Sequence, residues 1–303
     1  MLTHVNPDGD ALGSLLGLAL GLESLGIRTA PLCADPVPAI YRFLPGAERI
    51  ASDFPAQPPM LAIAVDSDGR SRVGRLALGL ERVCTTVDID HHATEKAFGD
   101  VQWVDPRAAA TGEMVYRLLR AMDVAVSPDI ATCLYTAILT DTGRFCYSNT
   151  SPRVLRIAAA LVRAGANPQR IYREVYESKS FSASRLLGLA LGRLSQTAEG
   201  GVIFSTLTQD DFRSAGSTPD ETEGIIDHLR AVRQARAAAL FVALPDGGVR
   251  VSLRSQGAID VGEVALRFGG GGHTNAAGCT VPGPMPQAQD RVLPALVEAL
   301  SRE

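Results

Sequence analysis

Apolar residues follow two alternating rhythms over the first half of the chain. Short apolar runs at 2–5, 28–33, 61–65 and 83–89, the last rich in β-branched residues, predict strands. Apolar positions at helical spacing predict helices over 10–25, 111–122, 127–140 and 152–164. Gly26 and Gly165 stand where two of these helices should stop, and Thr111 where one should be capped. Strand alternating with helix implies a mostly parallel sheet covered on both faces.

Past residue 172 the rhythm changes. Residues 172–184 are polar and charged, and a helix follows over about 183–196. Strands then predominate, at 202–208, 239–244 and 249–254, with helices near 222–231 and 260–268. Pro245-Asp246-Gly247-Gly248, between two β runs, is a hairpin turn. The expected fold is α/β: a first domain over 1–175, a linker and connecting helix over 176–195, and a smaller α/β domain over 196–303. A chain of 303 residues suits one large or two medium domains.

Composition narrows the function classes. With 46% hydrophobic and 20% charged residues the chain is ordinary globular protein. Its net charge of −4 argues against a basic stripe gripping long nucleic acid, where affinity comes from released counterions. Any nucleic-acid substrate should be short and held by a few placed groups. Cys33, Cys84, Cys133, Cys146 and Cys279 are odd in number, scattered and never in a C-x-x-C pair, which fits a reducing cytosol without disulfides or zinc thiolates. No signal peptide and no run of 18 apolar residues is present, and the Gly-rich stretch 12–25 suits a buried helix. A cytoplasmic protein with no membrane partner is expected. The first chemical motif begins three residues into the chain, so the start is either trimmed or lies upstream.

Only five histidines are present. His4 opens His4-Val5-Asn6-Pro7-Asp8-Gly9-Asp10, whose Pro and Gly force a tight turn able to gather one imidazole and two carboxylates for a divalent cation. A solvated acidic turn is the other reading. Asp66, with Asp68 nearby, follows the apolar run 61–65 and could bridge two cations or simply cap a helix. Asp141 ends an apolar helix, where the helix dipole disfavours a carboxylate and a nearby metal would explain it. The sharpest signal is Asp90-His91-His92 at a strand end, since adjacent histidines point in different directions. One can bind metal while the other faces substrate, and Asp90 can orient an imidazole. His228, beside Asp227, reads as a surface residue. These groups follow strands, where open α/β sheets place ligands.

The set His4-x-x-x-Asp8-x-Asp10, Asp66, Asp90-His91-His92 and Asp141 resembles the signature of the DHH phosphoesterase family. That family includes RecJ-type exonucleases, family II inorganic pyrophosphatases and short-oligonucleotide nucleases. The run Gly269-Gly270-Gly271-Gly272-His273-Thr274-Asn275-Ala276-Ala277-Gly278 resembles the glycine-rich motif of the family's associated substrate-binding domain. Order and length are most similar to the nanoRNase type, which hydrolyses very short RNA and dephosphorylates 3′-phosphoadenosine 5′-phosphate (pAp). The resemblance implies two divalent ions, Mn²⁺ foremost. One would be held by His4, Asp8 and Asp66, the other by Asp10, Asp66, His91 and Asp141. His92 would face the scissile phosphate as hydrogen-bond donor and general acid, with Asp90 beside it.

In the second domain, Gly270, Gly271 and Gly272 remove side chains so that backbone N–H groups can form an anion nest, with His273 and Asn275 adding donors. Arg254 and Ser255 end a strand and match an Arg-Ser position of the family's substrate domain. Arg107 precedes a helix whose N-terminus could favour phosphate, and Asn149 and Thr150 are lesser candidates. The second domain should anchor substrate across a cleft from the metals, so that short RNA or DNA oligonucleotides and small nucleotides are the partners. A homodimer is left open. The alternatives are a cyclic di-AMP phosphodiesterase and a nucleotide-binding protein without catalysis. A pyrophosphatase fits less well, because those relatives lack the glycine loop.

Overall fold

The computed structural model describes residues 1–57, 60–92, 98–197 and 199–302, the side chain of His273 excepted, and divides into two units, Met1–Ser178 and Lys179–Glu303. In the first unit, helix α1 (Gly9–Ser24) leads to strand β1 (Leu61–Val65), the single turn α2 (Ala77–Leu80), β2 (Thr85–Asp90) and β3 (Val101–Val104). Helices α3 (Thr111–Ala121), α4 (Pro128–Asp141), α5 (Pro152–Arg163) and α6 (Pro168–Tyr176) follow. The strands pair in parallel in the order β1-β2-β3.

Both faces of this sheet are covered, and β1 shows how. Ile63 and Val65 join a core with Leu12, Leu15, Ile89, Met114 and Ile138, while Ala62 and Ala64 join another with Leu2, Leu32, Val73 and Leu76. Period-two alternation thus sends successive side chains into separate cores. The expected strands at 2–5 and 28–33 are reduced to single-residue parallel bridges, Leu2 with Ala64 and Leu32, and Leu32 with Ala51. The physical reason is local. Pro31 has no N–H for a ladder, Val5 gives its N–H to the Arg72 carbonyl instead, and Asn6 turns the chain with φ 52°.

Helix α1 sets the site by packing along α4. Gly9, Gly13, Gly17 and Gly21 recur every fourth residue and leave one face without side chains. A Cβ at Gly13 would lie 2.4 Å from the Cys133 carbonyl oxygen, and one at Gly9 2.5 Å from the Thr140 side chain. Only glycine permits this approach, and overpacking there would cost about 1–3 kcal/mol. The close approach puts the first turn of α1 against the last turn of α4, bringing Asp10 towards Asp141.

The second unit contains α7 (Phe181–Gly192), β4 (Ser195–Gln196), β5 (Val202–Leu207), α8 (Gln209–Ala215), α9 (Ile225–Arg230), β6 (Ala237–Ala243), β7 (Val249–Ser255), α10 (Val261–Leu266), β8 (Gly271–His273), β9 (Ala276–Val281) and α11 (Met285–Ser301). Its sheet runs β4-β5-β6-β7-β9-β8, with only β5 and β6 parallel. Strand β6 is a continuous apolar run because Ala237, Ala239 and Phe241 enter one core and Ala238, Leu240 and Val242 the other. The expected turn joins β6 to β7, with Gly247 at φ 87°. Strands β3, β4, β8 and β9 and helices α2, α6, α8 and α11 complete the fold beyond the expected elements. All five cysteines are free, and no helix among the described residues is long and apolar enough to cross a membrane.

Candidate metal centre

The turn that opens α1, the ends of β1 and β2 and the last turn of α4 each deliver part of a largely buried cluster. Asp8 caps α1, accepting the Ala11 N–H at 3.0 Å, while Asp10 lies in the first turn of the helix and is buried. His4 is buried, with its Nδ1 2.8 Å from the Val5 carbonyl, which fixes Nδ1 as the donor and turns Nε2 to the cluster. That Nε2 lies 3.5 Å from Asp66 Oδ2 and 3.9 Å from Asp8 Oδ1. His91 is set in the same way by the Ala108 carbonyl at 3.3 Å. Its Nε2 lies 3.7 Å from Asp10 Oδ2, 3.6 Å from Asp66 Oδ1 and 3.5 Å from Asp141 Oδ2.

These separations carry the chemical argument. At 3.5–3.9 Å the atoms are too far apart for good hydrogen bonds. They nevertheless fall within about 4.2 Å, twice a usual metal–ligand distance of ~2.1 Å and so the widest spacing two ligands of one ion can have. Ligand groups form around His4, Asp8 and Asp66, around Asp10, His91 and Asp141, and around Asp66, His91 and His92. Asp66 turns one carboxylate oxygen to each histidine. It does so from a left-handed backbone, φ 58°, a conformation costing about 1–3 kcal/mol that persists only where surroundings impose it. Imidazole nitrogens mixed with carboxylates suit a borderline divalent cation. Asp68 joins none of these groups among the described residues.

The electrostatics ask for positive charge. Burial, then repulsion from Asp66, Asp141 and Asp8, holds the Asp10 carboxyl well above the usual carboxylate range. Burial, with Asp66 and Asp8 nearby, pushes Asp141 up to about 7 against the pull of His91. Burial opposes ionisation of Asp66 too, but His4, His91 and His92 outweigh it and keep its carboxyl low. The stability from Asp10 and Asp141 is therefore fully present below the ordinary carboxylate pKa of about 4 and is lost as pH rises through their folded values. A bound cation reverses that loss. We expect a divalent cation to raise Tm more at about pH 8 than at about pH 5 relative to chelator. Equal increments in a thermal melt at the two pH values would contradict it.

Ser14 and Thr111, which sequence reasoning did not place at the site, and the lesser candidate Asn149 hold the cluster. The Asp10 carboxylate accepts the N–H of Thr111 at 2.6 Å, the N–H of Gly112 at 2.9 Å and the Ser14 hydroxyl at 2.9 Å. Thr111 Oγ1 donates to Asp66 at 3.0 Å, and Asn149 Nδ2 to the Asp141 carbonyl at 3.1 Å. Two expectations change. Ala110, not Thr111, is the cap position of α3, and the α3 N-terminus takes the Asp10 carboxylate rather than a phosphate. Arg107 is 89% exposed and paired with Asp105. A capping threonine and a liganding one look alike in sequence. Ser14, four residues after Asp10 on α1, was the one signal available.

His92 differs from its neighbour. Its Nδ1 lies 2.7 Å from Asp90 Oδ1, and its backbone N–H donates to the same oxygen at 3.1 Å. Asp90 is fully buried. Burial lowers the His92 pKa, but the Asp90 hydrogen bond and the charges of Asp66, Asp90 and Asp68 overcome it, raising it to about 9. The ring is thus a protonated donor at neutral pH.

In the second unit the strand register sets Arg254 opposite Ala276, and Ala276 opposite His273. The His273 side chain lies outside the described residues. Arg254 Nη1 donates to the Leu253 carbonyl at 3.0 Å, and its Nε lies 3.9 Å from Asp227. Ser255 is buried and donates to the Ile259 carbonyl at 2.6 Å, while Asn275 donates to Ser255 Oγ at 2.9 Å and to the Gly257 carbonyl at 3.1 Å. Ser255 and Asn275 therefore shape the site instead of offering free donors. The glycine run is also no nest. Gly269, at φ 74°, and Gly270 close α10, and Gly271 and Gly272 form the edge strand β8 against β9. A Cβ at Gly270 would lie 2.1 Å from the Gly278 carbonyl oxygen, so close strand packing explains this glycine.

Comparison with known proteins identifies the family. The DHH family N-terminal domain matches residues 1–138 and the DHHA1 domain residues 192–302. A bifunctional oligoribonuclease and PAP phosphatase of Thermus thermophilus is 38% identical over 99% of this chain and 89% of its own length. The Bacillus subtilis protein of the same name is 28% identical over 92% of this chain and 87% of its own length. The crystal structure of an exopolyphosphatase-related protein from Bacteroides fragilis superposes with a TM-score of 0.91 at 26% identity, covering 98% of this chain and 91% of that one. By its two matched domains and this full-length similarity, the chain belongs to the DHH phosphoesterase family and carries the DHHA1 domain.

Proposed function

We propose that the chain hydrolyses very short oligoribonucleotides to mononucleotides and removes a phosphate from pAp. The carrying observation is the convergence of His4, Asp8, Asp10, Asp66, His91 and Asp141 at ligand spacing, in a chain similar along its length to bifunctional oligoribonucleases. His4, Asp8 and Asp66 would hold one divalent ion and Asp10, Asp66, His91 and Asp141 the other, with Mn²⁺ the best fit to mixed nitrogen and carboxylate donors. The ions supply an activated water and positive charge for the phosphate oxygens.

The chain's own residues do the rest. As the water oxygen bonds to phosphorus and the ester P–O bond breaks, the leaving oxygen takes a proton from His92. Asp90 holds that ring in one orientation and keeps it charged. In the second unit Arg254 on β7 is the proposed anchor for a further phosphate, with Gly271, Gly272 and His273 on the edge strand two places away in the same sheet. Such an anchor fits short substrates, and a net charge of −4 does not suit long ones. With Mn²⁺ present, we expect a dinucleotide and pAp to be hydrolysed at least about tenfold faster than a long RNA strand, a difference of ~1.4 kcal/mol or more. Equal rates on the long strand, or hydrolysis of cyclic di-AMP in preference to both, would overturn the reading.

A further inference from the structure

Residues 107–112 contain three consecutive alanines, Ala108, Ala109 and Ala110, yet the segment reaches most of the metal cluster. The Ala108 carbonyl sets His91, the N–H groups of Thr111 and Gly112 hold Asp10, and Thr111 Oγ1 holds Asp66. The Ala109 carbonyl shares Asn149 Nδ2, at 3.0 Å, with the Asp141 carbonyl. Alanine side chains cannot fix a backbone by hydrogen bonding. Core packing of these alanines settles part of the segment's position, and the hydrogen-bonded part must be imposed from outside it.

Glu113 and Arg153 impose it. Glu113 is fully buried in the first turn of α3, and its Oε2 accepts the Ala109 N–H at 3.0 Å. Its other oxygen lies 2.5 Å from Arg153 Nε, and Arg153 Nη2 donates to the Arg107 carbonyl at 3.0 Å. Arg153, placed by the first turn of α5, thereby pairs by charge with the carboxylate beneath Ala109 and donates to the Arg107 carbonyl. A buried carboxylate stripped of its cation is costly, so it would turn away towards water. That turn releases the Ala109 N–H, and with it the carbonyls that set His91 and hold Asn149. Among the described residues, Arg153 pairs with none of the six cluster residues.

We infer that Arg153 is a positioning residue for the metal centre, acting through Glu113 and residues 107–112. This rests on the proposal that the cluster binds divalent cations. The test is Mn²⁺ binding to the full chain without substrate, followed by calorimetry or electron paramagnetic resonance, with Tm recorded for each protein. Arg153→Ala should weaken Mn²⁺ binding by about 10–100-fold, the usual effect of removing a group that orients a ligand. Arg153→Lys should fall between, since one ammonium can meet Glu113 but not also the Arg107 carbonyl. Arg49→Ala breaks another ion pair of the same unit, with Glu23, and should lower Tm without changing Mn²⁺ affinity. If the alanine variant does not fold, Arg153→Gln replaces it, with the same expected direction. Unchanged Mn²⁺ affinity on loss of Arg153, or an equal loss in Arg49→Ala, overturns the inference. A wild-type chain that binds no Mn²⁺ refutes the metal reading itself.

Discussion

Asp66→Asn should leave a folded chain whose turnover has fallen by at least about 10³-fold and whose Mn²⁺ stoichiometry is reduced. A bridging carboxylate supplies one charged oxygen to each ion, and the substitution removes the charge while keeping the shape. Losing metal stabilisation of even several kcal/mol at the transition state gives this magnitude. The geometry makes Asp66 the most sensitive of the six, because Oδ2 faces His4 at 3.5 Å and Oδ1 faces His91 at 3.6 Å. Removing Asp8, which is more exposed and touches only the His4 side, should be milder. Asparagine also favours the left-handed backbone that Asp66 adopts at φ 58°, so folding should not suffer for that reason. Turnover and metal content measured together decide it. Wild-type activity, or two ions still bound with full affinity, would remove Asp66 from the bridging position.

Much of this centre could be read from the chain because its residues sit at element ends, where sequence signals are strongest. Asp8 follows an Asn-Pro turn, Asp66 ends an apolar run, and Asp141 closes an apolar helix where a carboxylate has no electrostatic reason to be. What the chain did not reveal is what holds them. Thr111 and Gly112 meet Asp10 across a separation of a hundred residues, so no local pattern could have linked them. Glu113 and Arg153 are likewise an ordinary helix glutamate and an ordinary helix arginine until the fold buries one against the other. The expected strands at 2–5 and 28–33 failed for a related reason: apolar composition was right, but whether a backbone enters a ladder depends on neighbours such as Pro31 and Arg72.

The glycine run shows the converse error. Four glycines in sequence suggest an open loop that wraps an anion, yet here two of them close α10 and two pair with β9. Glycine reports that a side chain would not fit, without saying what occupies the space. At Gly270 the occupant is the Gly278 carbonyl. Any anion contact by this region therefore has to come from the edge of β8 and from Arg254, two strands away in the sheet, rather than from a nest of N–H groups.

His92→Ala should lower turnover by about 10²–10⁴-fold while leaving the fold and Mn²⁺ affinity intact, the range expected for loss of a general acid. The pH dependence gives this role a sign. With its pKa raised to about 9, His92 is protonated below that value and loses its proton above it, so the wild-type rate should fall on the basic side. Cations that share the charge of Asp66 weaken one of the supports for that proton, so the falling limb should lie at or below pH 9. The limb should vanish in His92→Ala. Asp90→Asn keeps an acceptor for the ring but not the charge, so its limb should move to lower pH with a smaller loss of rate. The leaving group separates acid catalysis from simple phosphate binding. A nitrophenyl ester departs without needing a proton, so the gap between wild type and His92→Ala should shrink sharply on it. A gap of equal size on both substrates would mean that His92 only binds the phosphate, and its proton would then have no part in breaking the bond.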